Sequence, residues 1–424
     1  MKLEQYRDKA EVLDAHDRLS SYRNLFTQSD CIYLDGNSLG KLPLKSKDLL
    51  YELIKIQWGD RLIRSWNENW IELPQRIATK IAKLTGAQPD EIFIGDTTSV
   101  NLFKLAFAAL KFNKHKSEII TDELNFPTDQ YILQGLVSNQ FPDHQINVIK
   151  SNDLITMDEI EIQKAITINT ALACFSHVQY KSSFMYDMHA INEQAHRHHV
   201  LTLWDLSHAI GAVPIKLNEW KADMAVGCTY KYLNGGPGSP AFLYIRKELQ
   251  SDLINPIWAW FGHQRPFDFD NRYQPSDTIQ KFATGTPSIL SLAPVEIGAD
   301  ILLEAGMDSI REKSIQQTDF LIKMIHQILL PLGFCIASPL ASHRRGSHIS
   351  IQHPEAYRIS KAMIEPANDA IKIIPDFRPP NNIRLGAAAL YTSYMDLWTC
   401  VQRIKLIVEN EEFAQWDKKM MGVV

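Results

Sequence analysis

Cysteine is scarce in this chain of 424 residues, and its five copies, Cys31, Cys174, Cys228, Cys335 and Cys400, never form a Cys-x-x-Cys pair. That scatter argues against a disulfide framework and a zinc ribbon, and it predicts reduced, mostly buried thiols. No apolar run approaches the length of a membrane span. The opening Met1-Lys2-Leu3-Glu4-Gln5-Tyr6-Arg7-Asp8 carries charge without the apolar core of a secretion signal. An excess of positive charge is missing too: 44 basic side chains meet 49 acidic ones, for a net charge of −5. This balance argues against a nucleic-acid partner. Repeats, low-complexity tracts and an obvious flexible linker are also lacking, and a cytoplasmic globular protein is the expectation these absences leave.

What is present is apolar sequence, 45% of the residues, sufficient for a large domain and a smaller one. From about Glu91 to Ile245 short apolar runs alternate with helix-like patterns. The runs are Ile92–Gly95, Glu118–Thr121, Gln145–Ile149, Thr170–Phe175, Val200–Trp204, Asp223–Gly227 and Ala241–Ile245. Such alternation predicts an α/β fold with a mostly parallel sheet covered by helices on both faces. From Pro294 to about Leu329 the pattern is helical, and from Gly333 onward short strands, turns and a helix near Met395 to Glu409 read as a smaller C-terminal α+β domain. The expected division is an N-terminal segment, 1–60, a large α/β domain, 61–300, and a small domain, 301–424.

One lysine stands out by its setting. Thr229-Tyr230-Lys231-Tyr232-Leu233-Asn234-Gly235-Gly236-Pro237-Gly238 follows a strand-like run, and its glycines let backbone pass close to a ligand. Upstream, Trp204-Asp205-Leu206-Ser207-His208 places a carboxylate where a strand should end, the edge at which open α/β sheets bind ligands. A lysine that joins pyridoxal phosphate as a Schiff base needs a carboxylate to keep the pyridine nitrogen protonated, and Lys231 with Asp205 offers that pair. The plain alternative is a surface lysine beside an ordinary turn.

Further along the same logic, Asp96-Thr97-Thr98-Ser99 opens a helical pattern, and a hydroxyl-rich helix start suits a phosphate dianion. Thr98 and Ser99 are therefore phosphate candidates, although N-capping alone accounts for one hydroxyl of the run. In Asn125-Phe126-Pro127-Thr128-Asp129 an aromatic sits in a proline-stiffened loop, placed to stack on a pyridine ring or simply to be buried.

These strings, with Tyr33-Leu34-Asp35-Gly36-Asn37-Ser38-Leu39-Gly40, Trp260-Phe261-Gly262-His263 and Ile383-Arg384-Leu385-Gly386, resemble the kynureninase family over nearly the whole chain. The tract Trp58-Gly59 followed by Leu62-Ile63-Arg64-Ser65-Trp66-Asn67 looks like the bacterial branch. The resemblance implies a pyridoxal-phosphate enzyme of the aspartate-aminotransferase fold (fold type I) that hydrolyses L-kynurenine to anthranilate and L-alanine. It also implies a homodimer with its sites at the subunit interface. Carried over by position, Lys231 would bear the cofactor, Asp205 would hold the ring nitrogen and Phe126 would stack on the ring. Thr98, Ser99, Tyr230 and, from the other subunit, Trp260 and Thr286 would help to hold the cofactor and its phosphate. Pro127, Thr128, Asp129, Ser176 and His208 fall on further cofactor-contacting positions, and Tyr230 is also a candidate donor to the reacting carbonyl. Arg384 would grip the substrate carboxylate, a task suited to the guanidinium fork.

The chain departs from the family pattern in places. Ala387-Ala388-Ala389 stands after Arg384 where a proline is usual, which predicts a less rigid loop, and Ala259 replaces a glycine before Trp260. Gly285-Thr286-Pro287 stands where animal enzymes carry Ser-Asn-Pro, favouring kynurenine over 3-hydroxykynurenine. The rival readings are a cysteine desulfurase or an aminotransferase of the same fold, with Cys335 the conceivable desulfurase nucleophile, although its neighbours read as a buried strand. A non-catalytic cofactor carrier is the third. His196, His198 and His199 read as a solvated helix end rather than a metal site, Arg344-Arg345 as an anion site or equally a surface turn between two strands, and Trp58, Trp66 and Trp70 as core or site-mouth aromatics.

Overall fold

The computed structural model describes residues 3–366 and 370–419. Met1 and Lys2 of the charged opening, and the last five positions of the expected small domain, lie outside them. The first strand, β1 (Cys31–Tyr33), follows a helix over Leu3–Ala15. The large sheet is built from β2 (Ile92–Ile94), β3 (Glu118–Asp122), β4 (Gln145–Ile149), β5 (Thr170–Ser176), β6 (Leu201–Asp205), β7 (Met224–Gly227) and β8 (Phe242–Ile245). Each of the seven apolar runs seen in the sequence becomes one of these strands.

The order is β2-β8-β7-β6-β5-β3-β4, with the neighbouring pairs from β7 through β4 parallel. β8 runs antiparallel to both of its neighbours. The reason is the connection: the segment from β7 to β8 contains no helix, and a parallel return requires a crossover of helical length. Burial follows position in the sheet. All of β5 is buried, as a central strand covered on both faces must be, whereas the edge strand β4 exposes Gln145 and Asn147 more than its core positions.

Alternate residues of the same strand enter different cores. Ala173 and Phe175 join one buried cluster with Trp204 and the helix Leu73–Thr85, while Leu172 and Cys174 join another with the helix Thr98–Phe112. A third cluster belongs to the C-terminal part. There β9 (Cys335–Ile336), β10 (His348–Gln352), β12 (Asp376–Arg378) and β13 (Asn382–Gly386) form an antiparallel sheet ordered β12-β13-β10-β9, while β11 (Lys372–Ile374) pairs in parallel with β1. The N-terminal residues therefore complete the C-terminal core: Tyr6, Ala10, Ile32 and Leu34 are buried with Phe320, Ile351 and Leu397. Asp14 fastens the two ends by accepting from the backbone N–H of Tyr394 and Met395 at 2.8 and 2.9 Å, at the start of the helix Tyr394–Glu409.

The single helical stretch expected after Pro294 is two helices, Ile289–Ala305 and Met307–Met324, broken at Gly306 with φ +78°. Glycine adopts that conformation without the steric penalty of a Cβ. Two other expectations are corrected. Arg345 is fully buried rather than on a surface turn, because Asp319 and the carbonyl of Leu340 take its guanidinium and Thr318 accepts from Nε at 3.1 Å. Cys335 is exposed rather than buried, since β9 has only two residues and pairs on one side alone.

Candidate active site

Ser176 ends β5, Asp205 ends β6, and the two are register partners, so their side chains emerge side by side at the carboxyl edge of the sheet. Ser176 donates its hydroxyl to Asn125 Oδ1 at 2.6 Å, and the same oxygen accepts from the N–H of Phe126 at 2.9 Å. Asn125 thus ties the aromatic loop to the sheet edge. Behind it, buried Asp122 accepts from Leu124 N at 2.8 Å, from Tyr186 Oη at 3.0 Å and from Gln179 Nε2 at 3.2 Å. Burial pushes Asp122 up to about 7 despite these donors. Phe126 caps the helix Pro127–Asn139, remains 37% exposed, and meets Tyr180 edge to face at 5.2 Å.

Lys231 reaches back over this floor. Its Nζ lies 3.0 Å from His208 Nε2. Burial, and then the charges of Lys231 and Arg384, hold His208 well below the usual histidine range, so the imidazole is neutral. Asp205 is buried and accepts from Ser207 N at 2.8 Å; burial raises its pKa, while Ser207 and the charge of Lys231 lower it. Asp129, in the first turn of its helix, is pushed well above the carboxylate range by burial and by Asp205. Burial and the neighbouring Asp205 outweigh the helix N-terminus, which by itself favours an ionised Asp129. The loop bearing Lys231 is fixed from both sides. Gly40 N donates to Tyr230 O at 2.8 Å, and Thr229 Oγ1 bonds Ser239 Oγ and Pro240 O at 2.7 Å.

Beside this floor lies a cavity of about 900 Å³ lined by Thr98, Ser99, Tyr230 and Thr286, together with Asp96 and His263. Thr97 provides the helix cap by accepting from Val100 N at 3.3 Å. That assignment frees Thr98 and Ser99. Their first-turn amides have no carbonyl one turn back to bond, so the helix start presents donors to the cavity. Tyr230 is pushed upward by Cys228 and by burial and keeps its proton.

Arg384 lies on β13, fully buried. Its Nε and Nη1 bond Asp376 and the carbonyl of Tyr180, and Nη2 donates to Ser38 Oγ at 3.1 Å. Ser38, from the early Asp-Gly-Asn-Ser string, therefore meets an arginine 346 residues further along the chain. The Ala387–Tyr391 loop after it is buried and turned, with Tyr391 N and Thr392 N donating to Ala388 O at 3.1 and 2.9 Å, so packing supplies the rigidity that a proline would have given.

Not every candidate gathers here. Trp260, 39% exposed, lines a separate depression with Trp258 and Phe269 and touches Phe261, a cavity residue, at 4.3 Å between ring centres. Pro127 and Thr128 are half-buried on the rim of the Phe126 loop. Trp66 reaches Phe261 at 6.3 Å, whereas Trp58 is exposed. His196 is engaged by Asp223 at 3.0 Å. Sequence reasoning missed Asp122, Asn125, His348, whose ring centre lies 5.8 Å from that of His208, and the ion pair between Asp96 and buried Lys104. A lysine inside the apolar run Leu102-Phe103-Lys104-Leu105-Ala106 was the available signal for that pair.

The donor set suits a phosphorylated pyridine aldehyde. Asp129 Oδ2 and His208 Nδ1 are buried without a hydrogen-bond partner in the described structure, on residues that feel the charge of Lys231. Buried polar atoms left this way call for polar partners, which the polar groups of such a cofactor would supply.

Comparison with known proteins agrees with this geometry. Residues 310–404 match the family model of the kynureninase C-terminal domain. The chain is 39% identical to a kynureninase of Pseudomonas fluorescens over 415 residues, covering 96% of this chain and 97% of that one. It is 38% identical to a kynureninase of Burkholderia mallei over 411 residues, with 96% of each covered. Among solved structures, the apo cysteine desulfurase of Thermococcus onnurineus superposes with a TM-score of 0.77 at 15% identity, covering 94% of this chain and 98% of that one. A mutant of C-DES with glycine covalently linked to its PLP cofactor also gives 0.77, at 14% identity over 90% of this chain and 98% of that one. These structural likenesses carry the fold, type I of the pyridoxal-phosphate enzymes; the near-full-length sequence identity carries more, and the chain belongs to the kynureninase family.

Proposed function

We propose that the chain binds pyridoxal 5′-phosphate and hydrolyses L-kynurenine to anthranilate and L-alanine, with 3-hydroxy-L-kynurenine the poorer substrate. The observation that carries this is the meeting of Lys231, Asp205 and His208 at the sheet edge of a chain matched to kynureninases over 96% of its length. Bound through Lys231, the cofactor supplies an electron sink for bonds broken at the substrate α-carbon.

The chain's own groups divide the remaining work. Asp205 would hold a proton on the ring nitrogen, and the helix start at Thr98 and Ser99, with Thr286 of the same chain lining the same cavity, would bind the phosphate, while Trp260 would reach the site from the other subunit of a homodimer. Phe126 orients the ring by stacking, helped by the neighbouring Pro127, Thr128 and Asp129, while Ser176 and His208 set the polar edge. Lys231 Nζ, once released, takes the α-proton; a general base must lie within hydrogen-bond reach of the proton that it removes. Arg384 binds the α-carboxylate. Tyr230, protonated, donates to the γ-oxygen as water adds to that carbonyl carbon. The Cβ–Cγ bond then breaks, the carboxyl leaves with the aryl amine, and Cβ takes up a proton to complete alanine.

Exposed Trp258, Phe267 and Phe269 beside Trp260 support the dimer, and unpaired thiols support a cytoplasmic location. The division into 1–60, 61–300 and 301–424 is supported by a C-terminal core distinct from the large-sheet cores, and the first segment bridges the two, with Tyr6, Ala10, Ile32 and Leu34 in the one and Leu19, Phe26 and Leu53 in the other. Incubation with L-kynurenine and pyridoxal phosphate, without a 2-oxo acid, is expected to yield fluorescent anthranilate and an equal amount of alanine. No anthranilate, or an absolute need for a 2-oxo acid, would overturn the reading.

A further inference from the structure

We propose that Asp96 is a positioning residue which, clamped by Lys104 and Thr284, locks the phosphate-side helix start and the Thr286 loop into one wall of the cavity. The inference rests on the reading of that cavity as the cofactor's phosphate site.

The clamp is built from three segments distant in sequence. Asp96 directly precedes the Thr97 cap, and its φ of +54° is a left-handed conformation that a non-glycine residue keeps only where its surroundings over-determine it. Here they do. Its N–H-side neighbour Gly95 donates to Ala241 O and its own carbonyl accepts from Ala241 N, both at 2.9 Å, anchoring the turn to the start of β8. Its carboxylate takes the ammonium of Lys104 and, from Thr284 Oγ1, hydrogen bonds at 2.9 and 3.2 Å.

Lys104 has no exposed side-chain surface. A buried ammonium is tolerated only when paired, and this one bonds Asp96 and the carbonyl of Phe282 at 2.7 Å, on the segment leading to Thr284. Burial lowers its proton affinity, and Asp96 offsets part of that loss. Two consequences follow. The spacing between Thr98 or Ser99 and Thr286 is set by bonds through Asp96 and not by loop flexibility. In addition, Lys104 balances the Asp96 charge, so a phosphate dianion at the helix start does not face an uncompensated carboxylate.

Thr284→Val preserves shape and the Asp96–Lys104 pair but removes the hydroxyl link. Apoprotein titrated with pyridoxal phosphate is expected to show a Kd raised about fivefold to tenfold, the scale of one hydrogen bond. Pyridoxal, which lacks the phosphate, is expected to bind as in the unaltered protein, and Thr284→Ser is expected to restore phosphate-selective affinity. Thr284→Ala reports the same quantity should the valine variant not fold. Equal weakening for both ligands, or none for either, overturns the inference while leaving the function intact. Failure of the unaltered protein to bind pyridoxal phosphate at all would remove the function reading and this inference together.

Discussion

Lys231 Nζ and His208 Nε2 stand 3.0 Å apart in a buried pocket where the histidine is uncharged. A neutral imidazole gives the lysine a partner without adding a second positive charge, and Asp205 supplies the counter-charge close by. The amine is thereby held at the sheet edge and is not neutralised by a direct carboxylate bond.

Replacing that amine is the most direct test. Lys231→Ala is expected to abolish the near-visible absorbance that appears when the protein is given pyridoxal phosphate, together with anthranilate formation. An unchanged spectrum would show that another lysine bears the cofactor.

His208 also links the site to acid stability. Its folded pKa lies below its unfolded value of about 6.5, so below that pH the unfolded chain binds the extra proton. The stability it provides is complete above about pH 6.5 and is lost as pH falls. His208→Gln should therefore flatten the decline in Tm between about pH 7 and 5, measured on apoprotein. A decline as steep as in the unaltered protein would contradict a buried neutral histidine.

Asp122 has the opposite sign. Pushed up to about 7, it binds a proton in the folded chain where the unfolded carboxyl has released it, so its contribution falls as pH rises from about 4 to about 7. Asp122→Asn should gain in Tm relative to the unaltered protein across that interval and hold a constant difference above it. A difference that does not change with pH would place the ionisation elsewhere.

Arg384→Lys keeps the charge and loses the fork. Kynurenine binding is expected to weaken by about 1.5–3 kcal/mol, the scale of a charged hydrogen bond, read as an increase in KM. Because Arg384 also bonds Asp376, Tyr180 O and Ser38, Arg378→Lys is the control: Arg378 shares Asp376 but is about one-third exposed. An unaltered KM in Arg384→Lys would take the residue out of the substrate role.

Gly40→Ala tests the support beneath the lysine. A Cβ at Gly40 would collide with the carbonyl of Lys231 and with Asn234 Oδ1. Overpacking of this kind costs about 1–3 kcal/mol. Denaturant unfolding should show a loss of that order, with a weaker cofactor absorbance at equal occupancy of folded protein. Unchanged stability would mean that the early glycine loop does not bear on the Lys231 turn.

Much of this organisation is legible locally. The runs around Ile119, Val148, Ala173 and Leu203 read as strands because a central parallel strand is apolar throughout, and Asp205 and Ser176 stand where those runs end. Thr98 and Ser99 were visible as a helix start, but which hydroxyl caps the helix and which remain available was settled only by Thr97 meeting Val100 N. Arg345 and Cys335 read wrongly because burial of a charge depends on a distant partner, and exposure of a thiol depends on whether a strand has a neighbour on each side.

By itself the order of residues determined the succession of strands and helices, the Lys231 and Asp205 motifs and the family likeness, since these depend on side-chain period and short spacing. Tertiary structure alone decided the reversed direction of β8, the union of the first residues with the C-terminal core, the neutrality of His208 and the Asp96–Lys104–Thr284 clamp. Those features arise where segments far apart in the chain exclude water together, and the resulting desolvation and pairing energies have no counterpart in any local stretch of sequence.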